Sequence, residues 1–76
     1  MDGGTLLGRN ILHFRSLRMW SQQDLAGEAG LSLRYLAGIE RGEENPSLKT
    51  LTAIASAIRV PTWSLLHPDS QSVEQI

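Results

Sequence analysis

Ser21-Gln22-Gln23-Asp24-Leu25-Ala26-Gly27-Glu28-Ala29-Gly30-Leu31-Ser32-Leu33-Arg34-Tyr35-Leu36-Ala37-Gly38-Ile39-Glu40-Arg41-Gly42 holds two helix starts and two helix stops in close succession. Ser21 is a strong N-cap, because its hydroxyl can accept from an unsatisfied backbone N–H of the first turn. Asp24 falls at N3, where a carboxylate favours the positive end of the helix dipole. The spacing predicts a helix over 22–29 with Leu25, Ala26 and Ala29 on one face. Gly30 ends it in the left-handed region. Ser32 caps a second helix only two residues later, with Leu36 and Ile39 inward, Leu33 or Tyr35 at its margins, and Gly42 as its stop. Two short helices around so tight a turn must cross steeply. The crossing needs a small residue at the contact, supplied by Ala26, and a positive φ in the turn, supplied by Gly30. It must also bury a small core, for which Leu25, Ala29, Leu31, Leu36 and Ile39 stand at the right spacing. The outer face of the second helix is then left exposed and convex, a shape that fits the ~12 Å major groove of duplex DNA.

Outward from this stretch the chain continues in helices. Before it, Leu7, Ile11, Phe14 and Leu17 form a helical stripe, and Thr5 is the candidate cap of a helix from Leu6 to Met19. After it, Glu43-Glu44-Asn45-Pro46 reads as a turn. Pro46 and Ser47 then open a helix from Leu48 to Ile58 with Leu51, Ile54, Ala55 and Ile58 inward. Val60-Pro61 breaks that helix. A short fifth helix is expected from Pro61 or Thr62 to His67-Pro68. No strand alternation of useful length occurs. The fold class expected is all-α: a compact five-helix bundle containing a helix-turn-helix. Residues 1–5 are expected to be a flexible start, 6–68 the DNA-binding domain, and 69–76 a polar, fraying tail.

The remaining composition bounds the function. The chain has 76 residues, 41 % of them hydrophobic, and no cysteine. One domain of this size rarely supplies more than ~3–5 kcal/mol from its core, and disulfides cannot help, so self-association is expected. No apolar run nears the ~18 residues that span a bilayer, and Met1-Asp2-Gly3-Gly4 has no signal-peptide character; Met1 reads as a natural start, and the expected location is the cytoplasm, without membrane contact. The formal charge is −1, which taken alone argues against nucleic acid. Between Arg9 and Arg59, however, seven basic residues face five acidic ones, a net +2. His13 and His67 lie far apart with no cysteine or spaced carboxylate beside them, so no metal site is expected. No Ser/His/Asp arrangement or phosphate-cradling glycine loop occurs. Neither catalytic residues, a cofactor nor a small-molecule ligand is expected.

The stretch resembles the helix-turn-helix of the phage-repressor family, of the Cro/cI or xenobiotic-response-element (XRE) type, with the lambda-repressor-like fold. Gly8, Ile11, Phe14, Arg15 and Ser21-Gln22 match its first helix and entry. Ile39-Glu40-Arg41-Gly42, Asn45-Pro46-Ser47-Leu48, Leu51, Ile54, Ala55, Val60 and Leu65-Leu66 match its later pattern. In size the chain is similar to small phage repressors and restriction–modification controller proteins. The resemblance implies a homodimeric, sequence-specific regulator of transcription on a palindromic operator. Leu33, Arg34, Ala37 and Gly38 match positions facing base edges. Gln22, Ser32, Tyr35, Arg41, Asn45 and Ser47 match positions near phosphates. Arg15 and Glu40 match an arginine–glutamate pair tying the first helix to the third.

Some residues depart from that pattern. Met19 stands where the family has glycine, so the chain is expected to leave the first helix without a left-handed residue. Trp20 replaces a smaller aliphatic. Gly38 brings no side chain for readout, and Leu33 and Ala37 reach only thymine methyls, which leaves Arg34 as the single strong base reader. Glu43-Glu44 stands where relatives often carry basic residues, and the two charges would repel phosphate if they faced it. Each role has a plainer competitor: Arg34 as a solvated helix residue, Gln22 as a polar N1 residue, Trp63 and Leu66 as core filling. Trp63 lies two positions from Leu65 on another face, so Trp63 and Leu66 are candidates for the dimer interface. The competing function is a protein-interaction module, such as the antitoxin partner of a toxin, with DNA contact secondary.

Overall fold

The computed structural model describes residues 2–70. Among the described residues there are four α-helices: α1 (Gly3–Leu17), α2 (Gln22–Ala29), α3 (Leu33–Glu40) and α4 (Leu48–Ile58). The expected fifth helix is instead a single 3₁₀ turn, Thr62–Leu65. The reason is local. Pro68 disfavours helical geometry at His67, and the carbonyls that would extend the turn are taken by another side chain: Asn10 Nδ2 donates to Leu65 O at 2.9 Å and His67 O at 3.0 Å. Among the described residues no strand occurs, and no helix is long and apolar enough to cross a membrane.

The first helix begins earlier than expected. Its N-cap is Asp2, not Thr5, with Asp2 Oδ1 accepting from the Thr5 N–H at 2.8 Å. The bond holds the Asp2 carboxyl below its ordinary value, with the Thr5 backbone as the largest cause. Gly3, Gly4 and Thr5 therefore lie within α1 rather than in a loose start. Of the expected tail, residues 71–76 lie outside the described residues. Ser70 is buried and its Oγ donates to Ser64 O at 2.6 Å.

All four helices end the same way, in a Schellman closure. In α1, Met19 N–H donates to Ser16 O and Trp20 N–H to Arg15 O. The counterparts are Gly30 and Leu31 after α2, Gly42 and Glu43 after α3, and Arg59 and Val60 after α4. Each closure requires a residue at positive φ: Gly30 (72°), Gly42 (79°), Met19 (59°) and Arg59 (59°). Met19 thus takes the left-handed conformation without being glycine, contrary to expectation. The two satisfied carbonyls and the return of Trp20 to the body outweigh a strain of about 1–2 kcal/mol. Because α1 stops at Leu17, that side chain lies beyond the core and is half exposed.

Leu7, Ile11 and Phe14 of α1, Leu25 and Ala26 of α2, Leu36 and Ile39 of α3, Leu51, Ile54, Ala55 and Ile58 of α4, and Leu65 form one core. Ala29, Leu31, Tyr35 and Trp20 pack at its margin, half-buried. α1 lies against α3 and the 3₁₀ turn, and α2 against α3 and α4. Gly8 allows the approach of α1 to the end of α3. A Cβ there meets the carbonyl oxygen of Glu40, and lies 2.8 Å from both Glu40 C and Ile39 O.

Candidate nucleic-acid interface

Local bonds define the ends of the two helices in the α2–turn–α3 unit. Ser21 Oγ accepts from Asp24 N–H at 3.0 Å, and Asp24 Oδ2 accepts from Ser21 N–H at 2.9 Å, a closed capping box. Gly30, at φ 72° and ψ 31°, turns the chain. Ser32 Oγ then caps α3 through Tyr35 N–H at 3.1 Å. Ser47 does the same for α4, accepting from Thr50 N–H at 3.2 Å.

One polar cluster sets how α3 sits on the body. Arg15 Nε donates to Glu40 Oε2 at 2.8 Å and Nη2 to Oε1 at 2.9 Å, a bidentate pair. The third donor, Nη1, reaches Trp20 O at 2.9 Å. Gln22 Nε2 adds a bond to Glu40 Oε1 at 3.0 Å. The side chains of Arg15 and Glu40 are only 14 % and 6 % exposed, and Glu40 pushes the Arg15 guanidinium above its ordinary range. The end of α3, the end of α1 and the start of α2 are therefore tied together, with the Glu40 charge turned inward and neutralised.

The opposite side of α3 is open. Ser32, Leu33, Arg34 and Arg41 are exposed, Tyr35 and Ala37 are half-buried, and Asn45 and Ser47 are exposed beyond the helix end. Among the described residues no ion pair engages Arg34. Arg41 Nη2 lies 3.0 Å from Glu43 Oε1, which raises the Arg41 pKa and lowers that of Glu43, each through this bond first. Gln22 has one amide N–H engaged by Glu40, while its backbone N–H stands at the first position of α2. Gly38 departs from the expected arrangement. It is buried, with the Glu44 side chain folded across it. The cause is the closure after α3, where Glu43 N–H donates to Gly38 O at 2.9 Å and brings the next residue back over the helix. Trp63 and Leu66 are 64 % and 47 % exposed, whereas Leu65 between them is fully buried. The Trp63 ring meets His67 edge to face at 5.6 Å.

Sequence reasoning overlooked the positioning roles of three residues. Asn10 is fully buried and clamps the 3₁₀ turn; its place between Leu7 and Ile11, on the apolar stripe, was the available signal. Gln22 braces Glu40 as well as opening α2. Glu44 covers Gly38.

The helix-turn-helix family model matches residues 13–62, which takes in the capping box, the turn, α3 and α4. The chain belongs to the XRE-type helix-turn-helix family. Members of this family are non-enzymatic DNA-binding regulators of transcription, and the chain is one of them. It is 33 % identical over 75 residues to the control protein C.SmaI of Serratia marcescens, covering 99 % of this chain and 89 % of that protein. It is 38 % identical over 69 residues to the immunity repressor of Bacillus phage phi105, covering 91 % of this chain but 48 % of the repressor. Among solved structures, the hypothetical transcription factor NHTF from Neisseria superposes with a TM-score of 0.87 at 32 % identity, covering 93 % of this chain and 82 % of that one. The XRE-type architecture is thus found in relatives of nearly the same length and as part of longer repressors.

Proposed function

We propose that this chain is a cytoplasmic, sequence-specific regulator that binds a palindromic duplex operator as a homodimer, with α3 in the major groove. The observation that carries this reading is the division of charge on α3. Glu40 is bound inward by Arg15 and Gln22, while Arg34 projects from an exposed face with no ion-pair partner among the described residues. A guanidinium so placed can donate bidentately to O6 and N7 of guanine. Leu33 and Ala37 flank it with apolar surface suited to thymine methyls. Ser32, Tyr35, Asn45 and Ser47, the start of α2 at Gln22, and Arg41 frame that face and fit phosphate contacts. Arg41 must exchange Glu43 for a phosphate, and the acid pair lowers affinity per protomer.

A second copy compensates for that weakness. Trp63 and Leu66 expose apolar surface beside the 3₁₀ turn, on a chain whose own core is small. A two-fold contact there sets two α3 helices about 34 Å apart, one turn of DNA. Selection of bound duplexes from a random pool, followed by titration, tests the reading. An enriched palindrome is expected, and Arg34→Ala should lose about 5- to 150-fold in affinity for it with the circular dichroism spectrum retained. Trp63→Ala should weaken self-association in sedimentation. Failure to enrich any sequence sinks the proposal, as does a specific site bound equally well by Arg34→Ala.

A further inference from the structure

Glu44 occupies a place that the register of α3 assigns to a base-reading side chain. Arg34, Ala37, Gly38 and Arg41 share one side of the helix by their spacing of three, four and seven. Position 38 has no side chain of its own. Instead Glu44 Cγ lies 2.8 Å from where a Cβ on Gly38 would stand, and Glu44 Oε2 lies 3.3 Å from it. The carboxylate therefore lies 3.3–3.5 Å from the point where a side chain of residue 38 would start, one helical turn beyond Arg34. Two features hold it there. Gly42, at φ 79°, reverses the chain, and Glu43 N–H is bonded to Gly38 O at 2.9 Å. Its two acidic neighbours are engaged, Glu40 by Arg15 and Glu43 by Arg41. The Glu44 carboxylate feels the Arg41 charge, but among the described residues no hydrogen bond or ion pair takes it up.

We propose that Glu44 is a specificity-determining residue: borrowed into the position of Gly38, its carboxylate accepts a hydrogen bond from the exocyclic amine of a cytosine in the major groove. The inference rests on the reading that α3 enters that groove. The choice of base follows from the donor and acceptor pattern. A carboxylate can only accept. Guanine offers O6 and N7, and thymine O4, all acceptors that repel it. Adenine offers the N6 amine beside the N7 acceptor, so attraction and repulsion oppose each other. Cytosine alone offers an amine without an acceptor on the same base edge. Much of the selectivity comes from penalising the other bases, where a desolvated carboxylate is left without a donor. One turn of α3 is about 5.4 Å, so the cytosine falls about two base pairs, at ~3.4 Å each, from the guanine read by Arg34.

The test compares the wild-type chain with Glu44→Ala and Glu44→Gln in selection from a random duplex pool, followed by titration on duplexes changed at single positions. The wild type should prefer cytosine at one position in each half-site by about tenfold. Glu44→Ala should flatten that position alone, bind the disfavoured bases more tightly and keep the guanine preference of Arg34. Glu44→Gln should move the preference toward adenine, whose N6 and N7 match an amide. Replacing the selected cytosine with 2-pyrimidinone, which lacks the amine, should weaken the wild type and leave Glu44→Ala unaffected. A defined operator whose cytosine preference survives in Glu44→Ala, or that has none near the guanine, overturns the role of Glu44 and leaves the groove reading standing. If the wild type enriches no sequence, the groove reading fails, and this inference with it.

Discussion

Glu40→Ala removes the acceptor that holds α3 to the rest of the molecule. In the intact protein Arg15 makes two bonds to that carboxylate, at 2.8 and 2.9 Å, and the side chains are 14 % and 6 % exposed. Truncation leaves the guanidinium with one bond, to Trp20 O, and Gln22 with none of its present side-chain partners. Leaving one member of a buried pair uncompensated costs about 3–5 kcal/mol. Water reaches part of Arg15, so the lower end, about 3 kcal/mol, applies here. That is comparable with the ~3–5 kcal/mol available to a domain of this size, and the variant should be substantially unfolded without added stabilisers. The double variant Arg15→Met with Glu40→Leu removes both charges and keeps apolar volume, so it should recover to within about 1 kcal/mol of the wild type. Urea unfolding followed by far-ultraviolet circular dichroism measures both, provided the slopes agree. A loss below about 1 kcal/mol in Glu40→Ala would place the pair in the range of exposed ion pairs and refute the reasoning. A double variant no more stable than the single one would refute it equally.

Other consequences follow from the backbone. Met19 is 91 % exposed at φ 59°, so Met19→Gly should relieve strain without losing contacts and raise stability by about 0.5–1 kcal/mol in the same urea assay. Gly8→Ala and Gly27→Ala should move in opposite directions. Gly27 has open space around a new Cβ and should gain about 1 kcal/mol from helix propensity; Gly8 drives a Cβ into the backbone of Glu40, an overpacking cost of about 1–3 kcal/mol, and its melting temperature should fall. Acidification separates Asp2 from Asn at the same cap. The folded-state pKa of Asp2 lies below the ordinary value of 3.8, so its contribution is full above that value and is lost as pH falls through the lowered one. Asp2→Asn keeps an acceptor that does not titrate, so the stability of this variant should fall less over that acid range.

The helix-turn-helix was legible because its signals are local. Ser21, Asp24, Gly30, Ser32 and Gly42 each act within four residues of chain, and each does what its chemistry requires. The core of α4 followed from helical spacing alone. The Arg15–Glu40 pair came from a resemblance, since no local rule links residues 25 positions apart. Reading failed where a residue acts against its usual preference. Met19 and Arg59 adopt left-handed geometry that propensity assigns to glycine. Asp2 rather than Thr5 is the cap because Gly3 and Gly4, residues of low helix propensity, are nonetheless helical. The burial of Gly38 was invisible for another reason, since it depends on where a returning loop lays the Glu44 side chain.

Guanine-methylation interference on a selected operator bears most directly on how this fold meets DNA. A methyl group at N7 projects into the major groove and blocks donation from a guanidinium. The result expected is loss of binding when one guanine in each half-site is methylated, the two lying about 10 base pairs apart, and insensitivity to the same methylation in Arg34→Ala. Binding that tolerates N7 methylation throughout, or that is blocked only by adenine methylation at N3 in the minor groove, would contradict it.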